Sequence, residues 1–130
     1  LGRINYKGSG SPKLYASSTF LTNMLLLKDT QGYRIYKTEA ELAAALRVSG
    51  IVEVPLMENL TREAGVTDYK LLGIIVNLRD YVVGADKGGQ ISMFDDFDID
   101  YNQYKYLLET RCSGALVMPK AALVIEQATT

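Results

Sequence analysis

Between Phe94 and Leu123 the chain carries two alternating runs that meet with a break in phase. Phe97, Ile99 and Tyr101 are separated by Asp98 and Asp100, and then Tyr104 and Tyr106 flank Lys105. Strict alternation of apolar and polar residues specifies a strand with one buried face. A slip of one residue turns the second run outward unless the chain bends near Asn102–Gln103, in a turn or a bulge. The pattern therefore predicts a long antiparallel ribbon. On it Asp98 and Asp100 occupy the wet face, and the acidic run is solvated edge charge that discourages stray strand pairing.

The rest of the chain has to supply a core for such a ribbon. With 130 residues, 48% of them apolar, it has material for one modest core. The net charge of −1 comes from interspersed acids and bases, without the basic face that nonspecific nucleic-acid binding needs. The longest apolar runs, Met24 to Leu27 and Leu71 to Val76, fall far short of the roughly 20 residues of a membrane helix. The opening residues show no leader pattern. Because the chain starts at Leu1 rather than at Met, it is expected to be part of something longer.

Local signals place the elements. A short strand is expected at Lys13–Ala16, then a helix from Thr19 to Leu27 capped by Ser17 or Ser18. Gly32 suits the left-handed turn that ends it. Tyr33, Ile35 and Tyr36 suggest a brief extended piece. Thr38 and Glu41 form a capping box ahead of a helix reaching Arg47, with Leu42 and Leu46 on one face. Ile51 to Val54 reads as a strand stopped by Pro55. Met57 to Asp68 reads as loop or irregular short helix, and Leu71 to Val76 as the central strand. Leu78 to Tyr81 fits one helical turn, and Val82–Val83 a short extended piece. Lys87-Gly88-Gly89 fits a tight turn, and a strand restarts at Gln90 to Phe94. Gln103 to Val117 is expected to be the longest extended segment, bulged at Gly114, and Lys120 to Glu126 the last element. The fold class is thus α+β: a mixed central sheet with two or three short helices, plus a long antiparallel C-terminal ribbon.

Chemistry-bearing patterns are sparse. Histidine is absent and Cys112 is the only cysteine. That removes a histidine-activated nucleophile, an intrachain disulfide and a multi-cysteine zinc site. Cys112 itself is expected to be a buried small hydrophobe. Asp98, Asp100, Asn102, Tyr104, Tyr106 and Glu109 stand at the oxygen-ligand spacing of a calcium loop, but Gln103 occupies the position where the sharp turn needs glycine. Asp95, Asp96 and Asp98 could act as paired carboxylates, yet no partner motif accompanies them. Lys7 to Lys13 looks like a phosphate loop without its order or context. The nine tyrosines do not interleave with basic residues as a base-stacking surface would, so packing or a protein interface is the expected use. No catalytic, cofactor-binding or metal-binding residue is assigned.

A family resemblance then orders the segments. Leu26 to Tyr36, reading LLKDTQGYRIY, resembles a leucine-lysine-aspartate stretch of tailed-phage major capsid proteins of the Hong Kong 97 fold. Arg47 to Leu56 and Leu71 to Asp80 are similar to the two strands that come next in that family. Asp95 to Asn102, Tyr104 to Val117, Pro119 and Ala121 to Ile125 match its final elements in order and character. The resemblance runs from Leu14 to Gln127.

The resemblance implies a flexible N-terminal segment at 1–13, an axial-type domain at 14–92, a ribbon of the peripheral domain at 93–127 and a tail at 128–130. The family's amino-terminal arm, extended loop and long spine helix have no counterpart in these residues. The resemblance therefore implies the carboxy-terminal part of a phage or prophage capsid subunit: a structural protein, not an enzyme, without a cofactor. Its partners would be copies of itself in pentamer or hexamer rings, and in some systems a scaffold protein, with no specific nucleic-acid or membrane binding. It would reside in the virion shell after assembly in the bacterial host cytoplasm. The alternative is a small ion-binding or enzyme module using Asp95, Asp96, Asp98 and Asp100. A regulatory interaction domain of the same fold would not form rings.

Overall fold

A computed structural model of the chain describes residues 5–86 and 91–129. It is an α+β protein with a mixed sheet. In chain order the elements are β1 (Lys13–Ala16), α1 (Ser18–Leu26), α2 (Glu39–Leu46), β2 (Ile51–Glu53), β3 (Thr61–Ala64), β4 (Thr67–Val76), β5 (Tyr81–Ala85), β6 (Ser92–Asp98), β7 (Gln103–Glu109), β8 (Cys112–Leu116) and β9 (Ala122–Thr129). Single 3-10 turns lie at Pro55–Asn59 and Leu78–Asp80. The chain divides into two units, residues 1–80 with 117–130, and residues 81–116.

The first unit is built on β4, which carries β1 and β3 along one side and β9 along the other. β1 and β2 run parallel, joined through α1 and α2, whereas the contacts of β4 are antiparallel. The ladder between β4 and β9 skips a residue between Leu71 and Gly73. The carbonyl of Leu72, left out of that ladder, accepts the Ser17 amide at 3.0 Å. Leu14, Ala16 and Ile75 of the sheet bury themselves against Leu21 of α1, Leu42 of α2 and Val48. Phe20, Met24, Tyr36, Leu46, Leu123 and Ile125 close around this core.

Both helices start where their caps dictate. The Ser17 hydroxyl, itself buried, accepts the Phe20 amide at 3.3 Å. At α2 the Thr38 hydroxyl accepts the Glu41 amide at 3.3 Å. The return bond of the expected capping box goes one residue further upstream: the Lys37 amide, not that of Thr38, donates to Glu41 Oε2 at 2.8 Å. Arg47 ends α2 in the left-handed conformation, φ 57°. The 3-10 turn docks on α1 through Glu58, whose Oε1 accepts the Thr19 amide at 2.9 Å and the Thr19 hydroxyl at 2.6 Å. These two bonds, the hydroxyl's foremost, hold the Glu58 carboxyl below the usual range.

Several sequence expectations need correction. Met57 to Asp68, expected to be loop or irregular short helix, begins in the short 3-10 turn that ends at Asn59, but from Thr61 it is a β-hairpin, with Ala64 opposite Thr67 across Gly65-Val66. Gly65 has φ 69°, which supplies the positive φ that a two-residue hairpin turn requires. The brief extended piece expected at Tyr33 to Tyr36 is limited to one isolated antiparallel bridge between Arg34 and Lys28. Gln103 to Val117 is two strands, broken at Thr110–Arg111, and Gly114 pairs regularly with Val83 instead of bulging. β9 lies in the first unit rather than in the ribbon, and it runs through Ala128 and Thr129, where a tail is expected. Residues 5–12, expected to be flexible, are held at defined points: the Lys7 amide donates to the Lys120 carbonyl at 2.9 Å, and the Ser49 amide to that of Pro12 at 2.9 Å. The turn expected at Lys87-Gly88-Gly89 and the start of a strand at Gln90 lie outside the described residues.

The second unit is a nested ribbon. β5 pairs with β8 from Tyr81↔Leu116 to Ala85↔Cys112, and β6 pairs with β7 from Ser92↔Glu109 to Asp98↔Gln103. All of these pairings are antiparallel. The inner hairpin turns through Ile99 to Asn102, with Asn102 left-handed at φ 50°. The phase break is therefore a turn. Ile99 and Tyr101 belong to it and not to the strand before it.

Candidate interaction surface

The register of β6 on β7 sorts the hairpin side chains onto two faces. Met93 opposes Leu108, Asp95 opposes Tyr106 and Phe97 opposes Tyr104. Because side chains alternate along a strand, these six share one face. Five of the six are apolar or aromatic, and each of those is well exposed: Met93 62%, Phe97 42%, Tyr104 66%, Tyr106 66% and Leu108 68%. The Phe97 and Tyr104 rings meet at 5.0 Å between centroids, tilted by 58°. This cross-strand pair stiffens the end of the ribbon nearest the turn. The other face is mainly polar (Ser92, Asp96, Asp98, Gln103, Lys105 and Glu109), with Phe94 and Leu107 opposite one another in its middle.

The aspartates do not converge. Asp98 pairs with Lys105, whose ammonium also sits 5.9 Å from the centroid of the Tyr101 ring. Asp98 Oδ1 accepts the Asp100 amide at 3.1 Å, an Asx turn that helps the chain reverse. Asp96 Oδ1 accepts the Phe97 amide at 2.8 Å. Asp95 stands on the apolar face opposite Tyr106, as its two-residue spacing from Phe97 requires, and Asp96 and Asp98 stand on the other face. Among the described residues no group of three or more cysteine, aspartate or glutamate side chains could hold a metal ion. Tyr104, Asp98 and Glu109, which the sequence spacing offers as ligands of one loop, are spread along the two strands instead.

Cys112 is exposed on β8, contrary to the buried position expected of it. Its neighbour Arg111 stands 3.8 Å from Glu109. The tyrosines of the turn and inner hairpin are mostly exposed as well: Tyr101 is 75% exposed. The sequence alone does not single out Met93, Leu108, Phe94 or Leu107. Their signal is the pairing register, which only the position of the turn defines. Among the described residues no helix is long and apolar enough to cross a membrane. No family model, no curated protein and no solved structure matches this chain.

Proposed function

We propose that this chain is the carboxy-terminal part of a phage or prophage major capsid protein, a structural subunit whose work is to meet copies of itself around rotation axes. The observation that carries the reading is the bare ribbon. A two-stranded hairpin is marginal in water by itself and needs a further strand or a helix on its apolar face. Here Met93, Phe97, Tyr104, Tyr106 and Leu108 all stay in solvent. A surface of this kind, apolar or aromatic except for Asp95, fits a protein–protein contact better than a solvated face.

The resemblance of the ordered motifs from Leu26 to Ile125 supports the same reading and gives it its class. In a ring, one surface of each subunit meets a different surface of the next, so a modest contact is repeated at every step. The subunit would act in the virion shell, assembled in the host cytoplasm with or without a scaffold protein. The test is to express the chain joined to its upstream coding sequence and image the product by electron microscopy. Rings or closed shells are expected. A clean monomer at high concentration, or only amorphous aggregate, overturns the proposal.

A further inference from the structure

The segment before β1 closes over the end of the first unit in an unusual way. Asp80, the last residue before β5, is buried at 8% exposure although it is a carboxylate. Its partners come from far back in the chain. The Ser9 amide donates to Asp80 Oδ2 at 2.7 Å, and the Ser9 hydroxyl donates to Oδ1. Tyr6, itself 7% exposed, covers the site and donates from its hydroxyl to the Ser9 carbonyl at 3.0 Å. Gly8 passes so close that a Cβ there would lie 2.5 Å from the Tyr6 hydroxyl oxygen and 2.7 Å from Asp80 Oδ2. One residue away, the Lys7 amide donates to the Lys120 carbonyl at 2.9 Å. The short piece Tyr6 to Ser9 thus binds both Asp80, where the chain leaves the first unit, and Lys120, just after it returns.

The next three residues behave differently. Gly10 and Ser11 are both exposed, and nothing approaches the Cβ position of Gly10 within 4 Å. Pro12 is then fully buried, with its carbonyl accepting the Ser49 amide at 2.9 Å and the Ser49 hydroxyl at 3.1 Å. A pinned piece and a buried anchor are therefore joined by a two-residue link with a glycine in it.

We infer that Tyr6 to Ser9 is a releasable clasp, with Asp80 as its catch and Gly10-Ser11 as its hinge. Seated, it ties the departure and return points of the 81–116 excursion to each other and to whatever precedes Tyr6. Released, it swings out from Pro12 and leaves β1 and β4 in place. The polar content of the catch makes this separable: its hold comes from hydrogen bonds to the Asp80 carboxylate and the Lys120 carbonyl under the cover of Tyr6, whereas β1 is held by the apolar core.

The test is amide hydrogen exchange on the intact chain, parent against Asp80→Asn. The replacement amide keeps the shape but sets an NH2 group against a donor of Ser9. Exchange at Lys7 and Ser9 should rise at least about tenfold, while Leu14 and the amides of β4 keep their protection. Trypsin should also cut faster after Lys7. Gly8→Ala should act in the same way by crowding Tyr6. Unchanged exchange at Lys7 and Ser9 in both variants overturns the assignment of Asp80 as the catch. Equal loss of protection in β1 and β4 overturns the clasp as a separable piece. If Asp80→Asn does not fold, the parent still decides. Lys7 and Ser9 should exchange faster than the β4 core by local opening, and matched rates count against the hinge.

Discussion

The ring of Tyr81 lies over Gly114 on the neighbouring strand, where any Cβ would overlap the tyrosine hydroxyl and ring edge. Tyr81 pairs with Leu116 and Gly114 with Val83, so the ring reaches diagonally across the ladder. An aromatic side chain laid on a strand glycine restores the packing that the glycine lacks. Gly114→Val should therefore expel the ring and cost about 1–3 kcal/mol, the usual range for overpacking. Combining it with Tyr81→Ala should recover part of that loss in a double-mutant cycle read by thermal melting. Additive losses would mean that the two residues do not interact.

Leu42 lies at the centre of the first unit with no exposed surface. Leu42→Ala removes buried methyl groups and leaves a hollow between α2 and the sheet, at a cost of about 2–5 kcal/mol. Denaturant unfolding should show the midpoint falling with little change in slope. Leu46, on the same helix face but only part-buried, should cost less when shortened to alanine.

Acid should loosen the first unit through three carboxylates. Hydrogen bonds from the Ser9 hydroxyl and amide hold the Asp80 carboxyl below its ordinary value, those from Thr19 do the same at Glu58, and the Arg62 guanidinium does so at Glu126. A carboxyl that ionises more readily in the folded chain than in the unfolded one stabilises the fold above its unfolded value. That contribution is lost as pH falls through the folded value. Melting temperature should stay level near neutrality and drop below roughly pH 4. In Asp80→Asn the plateau should sit lower and the acid limb should be shallower. A flat profile in the parent counts against these bonds.

Association should depend on one face of the ribbon. Tyr106→Lys and Leu108→Lys place charge among Met93, Phe97 and Tyr104. Because both sites are exposed, folding stability should move by less than roughly 0.5 kcal/mol. Sedimentation of the self-associating subunit proposed above should shift toward monomer. Val66→Lys, at a fully exposed hairpin tip, serves as the control and should leave assembly intact.

The inner turn can be tested at Asn102, which holds φ 50°. Asn102→Gly should be tolerated. Asn102→Val should cost about 1–2 kcal/mol, because a branched side chain clashes with its own backbone there. Thermal melting of the two variants checks the difference.

The elements that can be read in the sequence are those whose causes are local. Ser17 and Thr38 announce their helices because a cap needs only the next three residues. The phase slip after Tyr101 announces a turn for the same reason, although it does not show that Ile99 and Tyr101 leave the strand. The hairpin of β3 and β4 escapes sequence reading because Thr61 to Ala64, reading TREA, has no apolar alternation and is exposed throughout. The position of β9 escapes it because the partner is β4, a pairing that sequence spacing does not encode. The partner of Asp95, Tyr106, and the exposure of Cys112 result from cross-strand register and missing cover, both long-range properties, although the face of Asp95 follows from its spacing to Phe97.

The placement of β9 bears on how such a chain can vary. Ala122, its first residue, lies opposite Val76, the last of β4. To the sheet, everything between them is a single connection, an enlarged hairpin loop that begins and ends at one place. The entropy of closing such a loop grows only with the logarithm of its length. The stretch can therefore lengthen, shrink or be exchanged for another without asking the sheet to find new partners, and replacing residues 81–116 with a short turn is a direct way to see whether the sheet stands without it.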